Sequence, residues 1–331
     1  MAPAIRAELL AHRADQAPDG HAEAATWLSA ALAEAPGDLE PTLHHLARRH
    51  RGANRTTFDS AWSAASATAE LPSWLTVDPD LLAAAEAWVS TPTANSEAEY
   101  LSAHPELLDS AADVAVIEAV AALPSEERQR LVTVRDQART TGVVAAYRPL
   151  LLRSLASQFV NEDLDGKRGL LDQHRQDLVS ADCGEVLDQL HHSRPGRDTV
   201  FALALRTLAV RDEDVAALEA LQDMDRLPAL LHHAATQVDP GGLEPLALCT
   251  LATATEVTHL VVGTFYLGVA HAIDGTGRDD ALDVVRRARG FDVSQTPALL
   301  ALLVDIVAVH PRASTLLPAL TDPLPDSEDE P

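Results

Sequence analysis

Four arginines fall within eight positions: Arg48, Arg49, Arg51 and Arg55, with His50 among them. A guanidinium group offers a planar fork of donors that matches a carboxylate in bidentate pairs. The run is therefore a candidate dock for a carboxylate-rich peptide, or for the chain's own Ser327-Glu328-Asp329-Glu330 stretch. The same run also fits the last turns of a helix, where cations complement the helix dipole.

Fourteen histidines raise the question of a metal, and six of them form the doublets His44-His45, His191-His192 and His232-His233. Neighbours on a helix point about 100° apart, so a doublet cannot chelate one ion from one face. No HExxH and no histidine pair at i,i+4 occurs. His191-His192 precedes Ser193-Arg194-Pro195-Gly196, a fitting helix C-terminus. The segment from Asn161 to Gly166 opens like a calcium loop, with oxygen donors at Asn161, Asp163 and Asp165, the turn glycine at Gly166, and Asp172 at the twelfth position. Arg168 stands where such loops carry an apolar residue, and Asp172 reaches less far than the usual glutamate. A capped turn between helices explains the same residues.

Nucleophilic chemistry finds little footing. There is no G-x-S-x-G elbow, and Cys183 and Cys249 lack both disulfide-framework and zinc spacing. Cys183 lies near a helix start, where a thiolate is favoured, yet a plain helix-start position accounts for it. Gly275-Thr276-Gly277 sits in a hairpin turn and does not follow a strand, so it is no phosphate loop. No cofactor is expected.

These residues must be positioned by helices. Of 331 residues, 47% are apolar, only 4% are aromatic, and 59 are alanine. Alanine and leucine suit closely packed helices, whereas a β-sandwich needs β-branched and aromatic residues. Apolar residues recur at helical spacing throughout, and strand alternation is nearly absent. Asp78-Pro79 is a helix start: the carboxylate takes orphan amides, and proline lacks only an amide that would go unpaired. Fifty acids against 25 bases give a net charge of −25. That excludes a nucleic-acid surface and disfavours an anionic membrane. The balance favours a basic or cationic partner through steering. The Met1 end carries no long apolar stretch, and the richest apolar run, Leu260 to Ala270, reads as a buried helix, so a cytoplasmic protein is expected.

The chain also repeats itself. Seventy residues separate Leu101 from Leu171, His104 from His174 and Leu108 from Leu178, and Val116, Ile117 and Val120 from Val186, Leu187 and Leu190. Two amphipathic helices can agree at apolar positions by chance, but the histidine pair and the preserved loop length favour a duplication, with units about 85–155 and 156–226. A 70-residue period is about twice the ~34-residue tetratricopeptide hairpin. A further hairpin spans about 258–290, with Gly268 and Ala281 small enough for close helix approach.

Within the first unit, His104-Pro105-Glu106-Leu107-Leu108 is followed by Arg135, Ala138, Arg139, Gly142, Val143, Ala145, Ala146 and Tyr147. This stretch resembles the helical repeat region of actinobacterial tetratricopeptide proteins, including those with a C-terminal CHAT (caspase-like) protease domain, over roughly residues 80–226. The resemblance implies a repeat scaffold. It carries over no catalytic residue, because the sequence after the last helix leaves no room for the protease sheet. The expectation is thus an all-α protein: an N-terminal helical bundle (1–77), a tetratricopeptide-like α-solenoid (78–321) and an acidic disordered tail (322–331). Its expected role is non-catalytic protein or peptide binding, as an adaptor or as the regulatory subunit of a separately encoded enzyme. The alternatives are a helical enzyme with a composite His/Asp/Glu site and a calcium-modulated regulator.

Overall fold

The computed structural model describes residues 2–18, 20–35, 37–66, 70–275 and 278–323. Among these, the regular elements are all helices, and no strand occurs. The chain divides into two units, Met1–Leu151 and Leu152–Pro331, with the division falling inside one helix.

The first unit holds α1 (Pro3–Gln16), α2 (Ala22–Glu34), α3 (Glu40–Ala53), α4 (Arg55–Ala65), α5 (Pro79–Val89), α6 (Ala94–Ala103), α7 (Asp113–Val120), α8 (Ser125–Thr141) and the start of α9 (Val143–Asn161). Its buried apolar residues form two clusters. One runs from Ala11 to Leu75 around Leu28, Phe58 and Trp62, and the other from Leu82 to Tyr147 around Trp88 and Leu101. Helix starts follow local chemistry. Asp78 accepts from the amides of Asp80 (2.9 Å) and Leu81 (3.4 Å) ahead of Pro79, and Asn54 accepts from the Thr57 amide to open α4. The second cluster encloses a satisfied polar network. The Trp88 indole donates to the Tyr147 hydroxyl at 3.3 Å, and Arg130 donates to both oxygens of buried Glu97 at 2.9 and 2.7 Å.

The second unit continues with α10 (Leu164–Leu178), α11 (Ala181–Ser193), α12 (Arg197–Val210), α13 (Asp214–Gln222), α14 (Leu227–Ala235), α15 (Leu243–Thr253), α16 (Val257–Asp274), α17 (Arg278–Phe291), α18 (Thr296–Val309) and α19 (Leu317–Thr321). A single apolar cluster runs from Leu152 to Leu320. Helix α16 has 18 residues and is apolar enough to cross a membrane by length and composition, but most of it lies in this core. It packs on α17 through Gly268, where an added Cβ would lie 2.5 Å from Val285 Cγ2 and 3.1 Å from the Ala281 carbonyl. The acid run at 327–330 lies outside the described residues.

One contact recurs 71 residues apart. Arg135 of α8 donates from Nε to the Leu107 carbonyl (2.6 Å) and from Nη2 to the Asp109 carbonyl (2.9 Å). Arg206 of α12 does the same to the Leu178 (2.9 Å) and Ser180 (2.6 Å) carbonyls. His104 ends α6 at φ −122°, and His174 breaks helical geometry inside α10 at φ −126°. Buried Ala138, Ala146 and Tyr147 in the first unit have buried Ala209, Ala217 and Leu218 as their counterparts. Near-counterparts also carry the buried charge, by different means. Where Glu97 meets Arg130, the second unit has Lys167, whose ammonium lies 5.3 Å from the centre of the Phe201 ring.

Lys167 is the chain's only lysine and is 2% exposed. Its ammonium donates to the Val160 (3.1 Å) and Glu162 carbonyls at the end of α9, which a helix leaves without internal partners. Burial lowers its pKa, against the pull of Asp198, Glu162 and Asp163. Lys167→Met keeps the stem but strands two carbonyls, so we expect a loss of about 2–3 kcal/mol. A lower midpoint of urea unfolding would register it, whereas an unchanged midpoint contradicts the capping role.

Candidate functional site

The site grows from the joint between α3 and α7. Helix α3 buries Leu43, Leu46, Ala47 and His50, at the spacing of one helical face. That leaves His45, Arg48 and Arg49 beside the buried stripe. Helix α7 is short and apolar, and it buries Ala115, Val116, Glu118 and Val120. Gly52, near the end of α3, lets the two backbones approach closely: an added Cβ there would stand 2.6 Å from the Glu118 Cα.

A buried glutamate locks this joint. The Glu118 side chain is 1% exposed and accepts from Arg51 through Oε1 and from Arg55 through Oε2, the latter at 2.6 Å. Arg51 also donates to both oxygens of Asp59 (2.8 and 3.2 Å) and to the Leu75 carbonyl (3.2 Å). Burial pushes the Glu118 carboxyl above its usual range and outweighs the opposing pull of the two guanidiniums. Breaking such a pair from one side leaves the other charge buried and uncompensated, which makes the joint costly to open.

Beside the joint lies a cleft of about 430 Å³. Its lining comes from three helices: His45, Arg48 and Arg49 from α3; Asp113, Val116, Ile117 and Val120 from α7; and Ser125, Arg128, Gln129, Val132, Arg135, Asp136 and Arg139 from α8. Helix α7 contacts both α3 and α8, so it forms the floor between two arginine-bearing walls. Several of these cations have local partners. Asp113 takes Arg135 (2.8 Å) and Arg139 (3.1 Å), and Arg49 reaches Asp15 (3.0 Å). Arg48 differs. Its Nε is shut off from water and has no hydrogen-bond partner among the described residues, and burial lowers its pKa despite the charge of Asp113. Burial, followed by the charges of Arg48 and Arg49, also holds the His45 imidazole below its usual range. The cleft thus gathers five guanidiniums against two lining carboxylates over an apolar floor, an arrangement suited to holding an anion. Among the described residues no group of three His, Cys, Asp or Glu side chains could hold a metal ion.

The four-arginine run therefore splits. Arg48 and Arg49 reach the cleft, whereas Arg51, buried, and Arg55, half exposed, pair with Glu118 and are spent on the joint. Arg128, Arg135 and Arg139 complete the site. Their signal was present in the spacing 128, 132, 135 and 139, which places three arginines and Val132 along one helical face. The calcium-loop residues do not converge. Asp163 caps α10 by accepting from the Gly166 amide (2.8 Å), Asn161 donates to the Ser157 carbonyl, Asp165 accepts from Gln222, and Asp172 lies well into α10. The histidine doublets serve separate neighbours: His44 stacks on Trp74, His191 meets the Thr199 hydroxyl, and His232 meets the Tyr266 hydroxyl. Cys183 follows the cap Ser180 but is buried, and burial raises its thiol pKa. Cys249 is raised by burial alone. Comparison of the chain with protein-family models, curated proteins and solved structures returns no match.

Two outcomes follow for the joint and its histidines. Replacing glycine by alanine in a helix ordinarily stabilises by about 1 kcal/mol. Gly52→Ala should instead destabilise by about 1–3 kcal/mol, because Glu118 must be pushed away. A raised Tm would contradict the close approach. His44 is also lowered, by burial first and then by Arg48, against the opposing pull of Glu40. Histidines with depressed pKa values bind protons less readily in the folded than in the unfolded state. Their contribution is therefore fully present above the ordinary value of 6.5 and is lost as pH falls through the folded values. Thermal stability should drop between pH 7.5 and 5.5, and the His44→Gln/His45→Gln variant should show a shallower drop. An equal slope in both proteins contradicts the assignment.

Proposed function

We propose that the chain is a non-catalytic binding protein of the cytoplasm, an adaptor or regulatory subunit whose helical hairpins form a tetratricopeptide-like array. In this reading the arginine-lined cleft receives an acidic segment of a protein partner. The supporting observation is the cleft itself: in a chain of net charge −25, five guanidiniums line one cavity, and among them Arg48 is partly exposed, with no hydrogen bond from its Nε to any described residue. A carboxylate entering the cleft would meet the exposed side of the Arg48 guanidinium and form a charge-assisted pair. The acidic remainder of the surface repels acidic chains at long range, so recognition is local and selects a short segment. The likeness of residues 80–226 to actinobacterial tetratricopeptide repeats agrees with a scaffold role, and the partner's own chemistry would reside in a separate chain.

The test is fluorescence anisotropy with a labelled glutamate-rich peptide at low salt. The reading expects saturable binding that weakens as salt rises and falls at least tenfold in Arg48→Glu, with the helical circular dichroism of that variant unchanged. Equal binding by Arg48→Glu, or tighter binding of a lysine-rich peptide, would contradict it.

A further inference from the structure

We propose that the cleft recognises a paired-acid motif, two carboxylates flanking one apolar side chain, with an acid on each arginine wall and the apolar side chain on the α7 floor. This rests on the binding reading above and adds the ligand's chemical class. Three observations carry it.

The first is the placement of charge. Arg48 and Arg49 stand on α3, and Arg128, Arg135 and Arg139 stand on α8, with α7 between them. A single compact anion can engage one wall, whereas two separated carboxylates can engage both. The second is the balance. The lining carries five guanidiniums against the carboxylates of Asp113 and Asp136, with Asp15 taking Arg49 from outside the lining. One bound carboxylate leaves the lining positive, and two bring it closer to neutrality. Arginine on both walls suits carboxylates held through forked donors. The third is the floor. Val116, Ile117, Val120 and Val132 line the space between the walls. Val116 and Val120 are already buried, but Ile117 and Val132 are partly exposed, so a leucine-sized side chain would bury against these two whereas a hydrated phosphate would gain nothing from them. The volume of about 430 Å³ lies within the range of ligand pockets, about 300–1,000 Å³. Arg48 is the anion receptor of the α3 wall, because its guanidinium is partly exposed to the cleft, whereas Arg49 is held by Asp15. Val132 shares the α8 face with Arg128, Arg135 and Arg139 and sets the apolar preference.

Isothermal titration calorimetry on the full chain tests this with capped peptides Gly-Glu-Leu-Glu-Gly, Gly-Glu-Ser-Glu-Gly and Gly-Gln-Leu-Gln-Gly, and with inorganic phosphate. The leucine diacid should bind more than tenfold tighter than the serine diacid, and the diamide should bind too weakly to measure. Phosphate should compete poorly. Arg48→Gln should weaken the leucine diacid about tenfold, and the near-isosteric Val132→Thr should narrow its advantage over the serine diacid about threefold. Equal affinity for the two diacids, or full competition by phosphate, overturns the motif while leaving an acid-binding cleft. Binding of the diamide as tight as that of the leucine diacid, or binding of none of the peptides, overturns both this inference and the acid-binding reading beneath it.

Discussion

The first unit depends on one buried carboxylate. Glu118 stands on α7 and is gripped by Arg51 from α3 and Arg55 from α4. It brings three helices together at the point where Gly52 allows the backbones of α3 and α7 to approach. The cleft lies next to this joint and is made possible by it. Were α3 to stand away from α7, His45, Arg48 and Arg49 would face solvent, and the α3 wall would no longer meet the floor. The positive charge in the cleft is therefore a consequence of packing.

The same logic explains why two sequence features occur together. In the first unit, the segment His104-Pro105-Glu106-Leu107-Leu108 and the later Arg135 are joined by hydrogen bonds from the guanidinium to the Leu107 and Asp109 carbonyls. Short 3₁₀ turns leave such carbonyls without helical partners, and a buried arginine supplies the donors. Seventy-one residues on, Arg206 repeats the arrangement although the intervening residues have changed. Here the backbone geometry, and not the side chains of the turn, is what the arginine reads. That is how His174-Arg175-Gln176-Asp177-Leu178 can stand in for the earlier segment.

Much of the fold is legible in the sequence because helices are specified locally. Alanine-rich apolar periodicity predicts them, and Asp78-Pro79 marks a helix start that the structure places at the same residue. The site is legible only in part. The arginine run draws notice because its members are adjacent, and Arg48 and Arg49 do line the cleft. That Arg51 and Arg55 pair with Glu118 could not be read there, because Glu118 is more than sixty residues away and looks like any other acid on a short helix. The α8 arginines lie on one face at positions 128, 135 and 139, a local signal, but in a charged helix it resembles an ordinary solvated face. Only packing against α7 separates the two meanings. The oxygen donors from Asn161 to Asp172 mislead for the same reason: their spacing fits a loop, and the chain winds them into a capped helix.

The most direct measurement is an NMR spectrum of the arginine Nε–Hε groups, with Arg48 assigned through Arg48→Lys, recorded with and without an acidic peptide. The account predicts that the Arg48 Hε exchanges slowly with water in the free protein and that its resonance moves on titration, alongside resonances from α8. If the Arg48 signal stays in place while only exposed arginines respond, the peptide binds elsewhere and the cleft is not the site.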